Sequence, residues 1–202
     1  AGCGSKATET DSANAESCVD TSGETIKVGA LNSLSGTMAI SEVTVRNAID
    51  LAHVIGIAEP KVAILSAVET VNPAMPTTLE AAALCKMADR GQITGGVLDG
   101  PLAFDNAISE AAAKEKGIVS PVAGKADILV VPDLEAGNML AKQLTFLGGA
   151  DAAGIVLGAR VPIILTSRAD SLRTRLASCA VAVLVARAAT KAAPGLPEGM
   201  RT

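Results

Sequence analysis

Aromatic residues are almost absent from this sequence. Its 202 residues include two Phe and neither Trp nor Tyr. A core built from the remaining apolar residues must therefore be aliphatic and rich in alanine. The same shortage nearly excludes aromatic platforms for stacked bases and aromatic anchors at an interface. The chain is 49% hydrophobic, and its length suits one domain, or one domain and part of another.

An excess of basic charge is also lacking. The sequence has 17 Lys and Arg against 21 Asp and Glu, a net charge of −4. This balance gives no electrostatic footprint for nucleic acid, so no nucleic-acid partner is predicted. No apolar run reaches the roughly 18 residues of a membrane-spanning helix, so no membrane span is predicted either.

Residues that bind metals or act as catalytic bases are scarce. The four cysteines form no CxxC pair, and His53 is the only histidine. Zinc requires clustered Cys and His ligands, so no metal site is predicted. Cys85 and Cys179 lie in apolar helical patterns that are typical of buried free thiols. A Ser–His–Asp or Cys–His mechanism would depend on His53 as its base. No nucleophile-elbow motif accompanies this histidine in the sequence, so both mechanisms are discounted.

From Val43 onward, apolar strands alternate with amphipathic helices. The predicted strands are KVAILSAV, ITGGVLDG and ADILVVPD, with two further short strands between residues 152 and 167. The first helix has an apolar face of Val45, Ala48, Leu51, Ala52 and Ile55. The later helices cover residues 77–87, 104–116, 135–147 and 170–190. This alternation predicts an α/β fold with a parallel-rich sheet and helices on both faces.

Polar residues collect where the predicted strands end, and ligands bind at that edge of an open α/β sheet. The strands lead in turn to Asp99, to Asp133, Gly137 and Asn138, and to Ser167, Arg168 and Asp170. Helix starts at this edge offer backbone N–H groups and a dipole that favours anions. Hydroxyl groups next to a guanidinium can together donate hydrogen bonds to a phosphate.

Simpler interpretations of the same residues stay open. Asp133 and Asp170 can equally be helix N-caps. Asp99, which precedes Gly-Pro, can be a turn residue. Arg168 can be a solvated surface charge. The spacing alone does not name a reaction.

The first 43 residues have a different character. Residues 1–23 are small, polar and acidic without periodicity, and a disordered tail is predicted. The stretch AGCGS is similar to the start of a bacterial lipoprotein, which would be lipidated on Cys3, although an arbitrary linker remains the alternative. Residues 24–43 predict a strand, Ile26 to Leu31, and a Ser/Gly loop. This segment resembles the N-terminus of periplasmic amide- and urea-binding proteins, which implies ligand contacts at Ser35, Gly36 and Thr37.

Four longer stretches are similar to one enzyme family. KVAILSAVETVNPAMPTTLEAAALCKMADRG, GGVLDGPLAFDNAISEAAA, ADILVVPDLEAGNMLAKQL and PIILTSRADS resemble the phosphate acetyltransferases and phosphate butyryltransferases, from about residue 46 to 189. The resemblance implies transfer of an acyl group between coenzyme A and phosphate, with coenzyme A as substrate and no separate cofactor. It also implies an isocitrate/isopropylmalate dehydrogenase-like α/β domain that is incomplete relative to the family. The change of resemblance near residues 43–46 suggests a chimera.

The resemblance also implies domains and roles. Residues 44–160 would form the acyltransferase core, residues 161–190 a strand and helix from the end of the family's first domain, and residues 191–202 a tail. Ser167 and Arg168 match a family Ser–Arg pair that lines the cleft. Asp170 is the nearest carboxylate to the family's proposed base, although its spacing differs. The remaining substrate-binding positions in the cleft are Asp99, Asp133, Gly137 and Asn138.

The resulting prediction is a phosphate acyltransferase, located in the cytoplasm, with acyl-CoA, coenzyme A and phosphate as partners. An exported amide- or urea-binding lipoprotein anchored through Cys3 is the alternative, and an inactive fusion product is the third. The last helix is apolar nearly all round in its C-terminal half. In the resembled family it packs within the first domain, so its exposure here predicts a homo-oligomer.

Overall fold

The computed structural model describes residues 28–30 and 42–192. The expectations for Cys3, for the Ser/Gly loop and for the N-terminal tail lie outside the described residues. Six strands and six helices follow one another in the described part. They are, in chain order, β1 (Val28–Ala30), α1 (Glu42–Val54), β2 (Lys61–Leu65), α2 (Pro76–Asp89), β3 (Val97–Leu102), α3 (Phe104–Ile108), α4 (Glu110–Glu115), β4 (Ile128–Val130), α5 (Leu134–Phe146), β5 (Ile155–Val156), β6 (Ile163–Ile164) and α6 (Leu172–Ala192).

Four strands form one parallel sheet in the order β1-β4-β2-β3. Strand β2 lies between β4 and β3, with Val62 opposite Ile128 on one side and Leu98 on the other. Strand β1 extends the sheet beyond β4, with Val28 opposite Ile128. The predicted parallel α/β sheet is therefore confirmed, and residues 28–30, which precede the suggested joint, belong to it.

Alternating side chains of β2 point into two hydrophobic cores, one on each face of the sheet. The first core lies under α1 and α2 and contains Val45, Ile49, Val62, Ile64, Leu84 and Ile128. The second lies under α3 and α4 and contains Ala63, Leu65, Leu102, Ala107, Val122 and Leu129. Helices therefore cover both faces of the sheet, as predicted, and aliphatic side chains fill both cores.

Two helix predictions need correction. In α1 the buried face includes Ile49, whereas Leu51 is only half-buried and Ile55, also half-buried, follows the end of the helix. The single helix predicted over residues 104–116 is wrong, because it is divided at Ser109. Ser109 has an extended backbone, and its hydroxyl accepts the N–H of Ala112 as the N-cap of α4. A Ser that can hydrogen-bond the backbone two or three residues ahead favours a helix start over a helix interior.

The strand predicted as ITGGVLDG, residues 93–100, is observed at Val97–Leu102. It continues through Gly100 and a cis peptide bond to Pro101, and the register with β2 shifts between Ala63 and Leu65. Asp99 therefore lies within the strand and not in a turn beyond it.

The last two strands stand apart from the parallel sheet. Strands β5 and β6 pair antiparallel, with Ile155 opposite Ile164. Helix α6 packs against both strands and against α1. Among its described side chains only Ser178 and Ala182 are buried, and Cys179 is exposed, so the prediction of a buried Cys179 is wrong. No helix within residues 42–192 is long and apolar enough to cross a membrane.

Candidate functional site

The turn between β6 and α6 contains the predicted catalytic residues. The Oδ2 atom of Asp170 accepts the backbone N–H of Ser167 at 2.6 Å, and the N–H of Asp170 donates to the carbonyl of Ser167 at 3.1 Å. The hydroxyl of Ser171, not the carboxylate of Asp170, caps α6 by accepting the N–H of Thr174. The N-cap interpretation of Asp170 is therefore wrong. Its carboxylate closes the turn that presents Ser167 and Arg168.

Three arginines lie at this turn and at the start of α6. Arg173 forms an ion pair with Asp151 at 2.7 Å. Arg168 and Arg175 are exposed, and neither forms an ion pair with any residue that the structure describes. The Nη2 atom of Arg175 donates to the carbonyl of Arg168 at 3.4 Å. Two unpaired guanidinium groups next to the positive end of a 21-residue helix favour an anion.

The residues predicted around Asp133 lie at the start of α5. Asp133 is the N-cap of this helix, because its Oδ1 atom accepts the N–H of Ala136 at 2.7 Å. Gly137 is buried and Asn138 is exposed one residue further on. These three residues stand beyond the carboxyl end of β4, the edge where ligands bind in such sheets.

The turn at Ser167 lies at the opposite end of α5. A recess of about 210 Å³ is lined by Phe146 and Asp151 on one side and by Ala169, Asp170 and Thr174 on the other. Helix α5 has 13 residues and is therefore about 20 Å long. Within the described residues, the Asp133 group and the Ser167 group do not form one compact site. The expectation that all the strand ends share one edge is not met, because β6 pairs with β5 outside the parallel sheet.

Asp99 occupies a third position. Its Oδ1 atom accepts the N–H of Gly100 at 2.8 Å, inside β3. The neighbouring Cys85 is half-buried on α2, and its thiol lies 3.6 Å from the carbonyl of Gly100. Burial, together with the smaller effect of the charges of Asp99 and Asp89, raises the pKa of the Cys85 thiol to about 12. Cys85 is thus a protonated thiol, which is a poor nucleophile.

The structure also assembles a polar cluster that the sequence did not reveal. Asn106 is fully buried, and its Nδ2 atom lies 3.4 Å from the carboxylate of Glu69. The ammonium of Lys116 lies 3.4 Å from Glu69 and 3.2 Å from Asp105. A hydrogen bond between Lys116 and Asp105 lowers the pKa of that carboxyl and raises the pKa of that ammonium. Glu69, Asp105 and Asn106 lie in two separate stretches that resemble the family. Their proximity to one another and to Lys116, which is 47 residues from Glu69, becomes visible only in the fold.

Metal ligands are not gathered in the part of the chain that the structure describes. No group of three His, Cys, Asp or Glu side chains there is placed to hold a metal ion. His53 is exposed, and its Nε2 atom lies 2.7 Å from the carbonyl of Gly95.

Comparison with known proteins identifies the family of this chain. Residues 37–183 match the family model described as phosphate acetyl/butaryl transferase. A phosphate acetyltransferase of Rhizobium meliloti is 78% identical over 142 residues, which are 70% of this chain and 45% of that protein. A phosphate butyryltransferase of Clostridium acetobutylicum is 54% identical over 142 residues, 70% of this chain and 47% of that protein.

Solved structures agree with this assignment. A branched-chain phosphotransacylase from Enterococcus faecalis superposes with a TM-score of 0.64 and 37% identity, over 74% of this chain and 55% of that chain. A phosphotransacetylase from Streptococcus pyogenes superposes with a TM-score of 0.62 and 28% identity, over 79% of this chain and 47% of that chain. The chain spans a little under half the length of the two curated relatives described above. It belongs to the phosphate acetyltransferase and phosphate butyryltransferase family.

Proposed function

We propose that this chain provides the phosphate-binding part of a phosphate acyltransferase, which transfers an acyl group between coenzyme A and inorganic phosphate. The observation that carries the proposal is the 78% identity to a phosphate acetyltransferase over 142 residues. Arg168 supports it independently, because its exposed side chain forms no ion pair with a described residue and its position precedes the positive end of α6 by four residues. We place the activity in the cytoplasm, where coenzyme A is available.

In the proposed reaction the thiolate of coenzyme A attacks the carbonyl carbon of an acyl phosphate. A carbon–sulfur bond forms, the carbon–oxygen bond to phosphate breaks, and the released phosphate takes both electrons of that bond. Arg168 and the hydroxyl of Ser167 would hold the phosphate and the developing negative charge. Asp170 would keep the turn closed through Oδ2, and its Oδ1 atom would be the candidate acceptor for the thiol proton.

The remaining predicted positions would bind other parts of the substrates. Gly137 brings backbone close to a ligand at the start of α5, where Asp133 already satisfies one N–H group. Asn138 is exposed beside it and can hydrogen-bond a substrate. Asp99 is bonded within β3 and would act on the cleft only as part of its wall.

A direct assay tests the proposed function. The chain is mixed with acetyl phosphate and coenzyme A, and formation of the acetyl thioester is followed by its ultraviolet absorbance. Thioester formation that depends on protein, and that Arg168→Ala lowers strongly, is the expected result. Absence of thioester together with absence of phosphate and coenzyme A binding would refute the proposal.

We also propose that copies of this chain associate through α6. Three of its apolar side chains, Leu172, Leu176 and Val183, are exposed by 74%, 60% and 49%. They follow one face of the helix, which makes a continuous apolar strip. Sedimentation of the wild type, compared with a double variant carrying Leu176→Lys and Val183→Lys, tests this. A wild type that sediments as a monomer would contradict it.

A further inference from the structure

The carbonyl of Arg168 accepts a hydrogen bond from a side chain one helical turn into α6. That donor is the Nη2 atom of Arg175, at 3.4 Å. We infer that Arg175 is a positioning residue, which fixes the peptide unit after Arg168 and thereby aims the Arg168 side chain. The role of Arg168 in phosphate binding rests on the proposed function, whereas its positioning by Arg175 is a property of the turn alone.

The segment that leads to Arg168 is fixed at both ends. On the upstream side, the N–H of Leu165 donates to the carbonyl of Gly154, and the N–H of Gly154 donates to the buried hydroxyl of Ser178 on α6. On the downstream side, the carboxylate of Asp170 accepts the N–H of Ser167. Between these two ends, the hydrogen bond from Arg175 connects α6 to the backbone carbonyl of Arg168.

Arg173 provides a natural comparison. It is two residues from Arg175 on the same helix and is equally basic, but its guanidinium forms an ion pair with Asp151 at 2.7 Å and not with the turn. Loss of Arg173 removes one positive charge near the helix start and leaves the turn bonds in place. Loss of Arg175 removes the same charge and also the bond to Arg168. The two variants therefore separate positioning from charge.

In the proposed mechanism, an oriented Arg168 side chain favours phosphate binding. A phosphate is bound well only when the guanidinium that meets it is already oriented, because otherwise binding must immobilise a flexible side chain. Asp170 orients the start of the turn, and Arg175 orients the peptide unit from which the Arg168 side chain departs. Arg175 itself need not touch the substrate.

The test begins with the protein free of ligand. Amide hydrogen exchange of residues 167–170 is measured in the wild type and in Arg175→Ala, Arg175→Lys and Arg173→Ala. We expect Arg175→Ala to speed exchange in the turn by about two- to tenfold, as the loss of one hydrogen bond allows. Arg175→Lys, which keeps a donor of similar reach, should recover part of the protection, and Arg173→Ala should leave it unchanged. Unchanged exchange in Arg175→Ala overturns the inference.

A second measurement connects the turn with substrate. The dissociation constant for inorganic phosphate is measured calorimetrically in the same four proteins. Positioning predicts that Arg175→Ala weakens binding by a factor similar to its effect on exchange, whereas Arg173→Ala has a smaller effect. Equal weakening by Arg175→Ala and Arg173→Ala would show that Arg175 acts through its charge, which overturns positioning. A wild type that binds no phosphate refutes the proposed function, while the exchange result still decides whether Arg175 holds the turn.

Discussion

Two glycines with nearly the same backbone conformation should differ in their tolerance of alanine. Gly117 and Gly124 have φ angles of +68° and +76°, which disfavour any residue with a Cβ atom. At Gly117 an added Cβ meets nothing within 4 Å. At Gly124 it would lie 2.5 Å from the Cα and 2.6 Å from the N of Glu110, the first residue of α4. These contacts are with backbone, which cannot rotate away.

The difference in magnitude follows from these distances. Gly117→Ala incurs only the cost of the left-handed conformation, about 1–2 kcal/mol. Gly124→Ala incurs the same cost and must also displace the start of α4, for which overpacking adds about 1–3 kcal/mol. The same displacement should weaken the hydrogen bond from the N–H of Gly124 to the carbonyl of Asn106, which is 2.8 Å long. Urea unfolding of both variants measures the free energies. Equal losses would refute the packing of residues 117–127 against α4.

Three further predictions concern the site, a thiol and the core. Arg168→Ala should weaken phosphate binding by about 1.5–3 kcal/mol by calorimetry, with unchanged thermal stability, because the side chain is exposed. The thiol of Cys85 has a pKa of about 12 when folded against 9.0 as its ordinary value, so the folded protein holds this proton more tightly. The free energy of unfolding should therefore fall above about pH 9 more steeply in the wild type than in Cys85→Ala, by denaturant titration at several pH values. Ile64→Ala should lower stability by about 2–5 kcal/mol, whereas Ile163→Ala, at a position 48% exposed on β6, should cost much less, as measured by urea unfolding.

Local patterns in the sequence predicted the strands and the helix whose buried side chains follow a regular pattern along the chain. The apolar run at β2 is buried on both faces, and the helical spacing of Val45, Ala48 and Ala52 marks the buried side of α1. The strand predicted at Ile26 to Leu31 appears at Val28–Ala30 as the edge strand next to β4. The helix follows from the 3.6-residue spacing of its apolar side chains, and β2 follows from a short continuous apolar run, which is typical of a strand buried on both faces.

Some errors are local, such as the helix start at Ser109, but others occurred where partners distant in sequence decide the structure. The apolar pattern of β6 is compatible with a parallel sheet, but its pairing with β5 depends on the loop between them. The turn interpretation of Asp99, left open because Gly-Pro follows it, is wrong, because β3 continues through that dipeptide with a shift of register against β2. The polar cluster of Glu69, Asn106 and Lys116 depends on the packing of three separate segments: the loop after β2, helix α3 and the end of α4. The strand-end pattern pointed to Ser167 and Arg168, the family resemblance supplied their roles, and those roles stay predictions.

Isotope exchange tests the central claim most directly. Radioactive inorganic phosphate is incubated with unlabelled acetyl phosphate and the protein, with and without coenzyme A. Reversible transfer at the turn of Ser167 and Arg168 predicts that label enters acetyl phosphate only when coenzyme A is present, and that Arg168→Ala slows this strongly. Absence of label, or incorporation that does not depend on coenzyme A, would contradict the account.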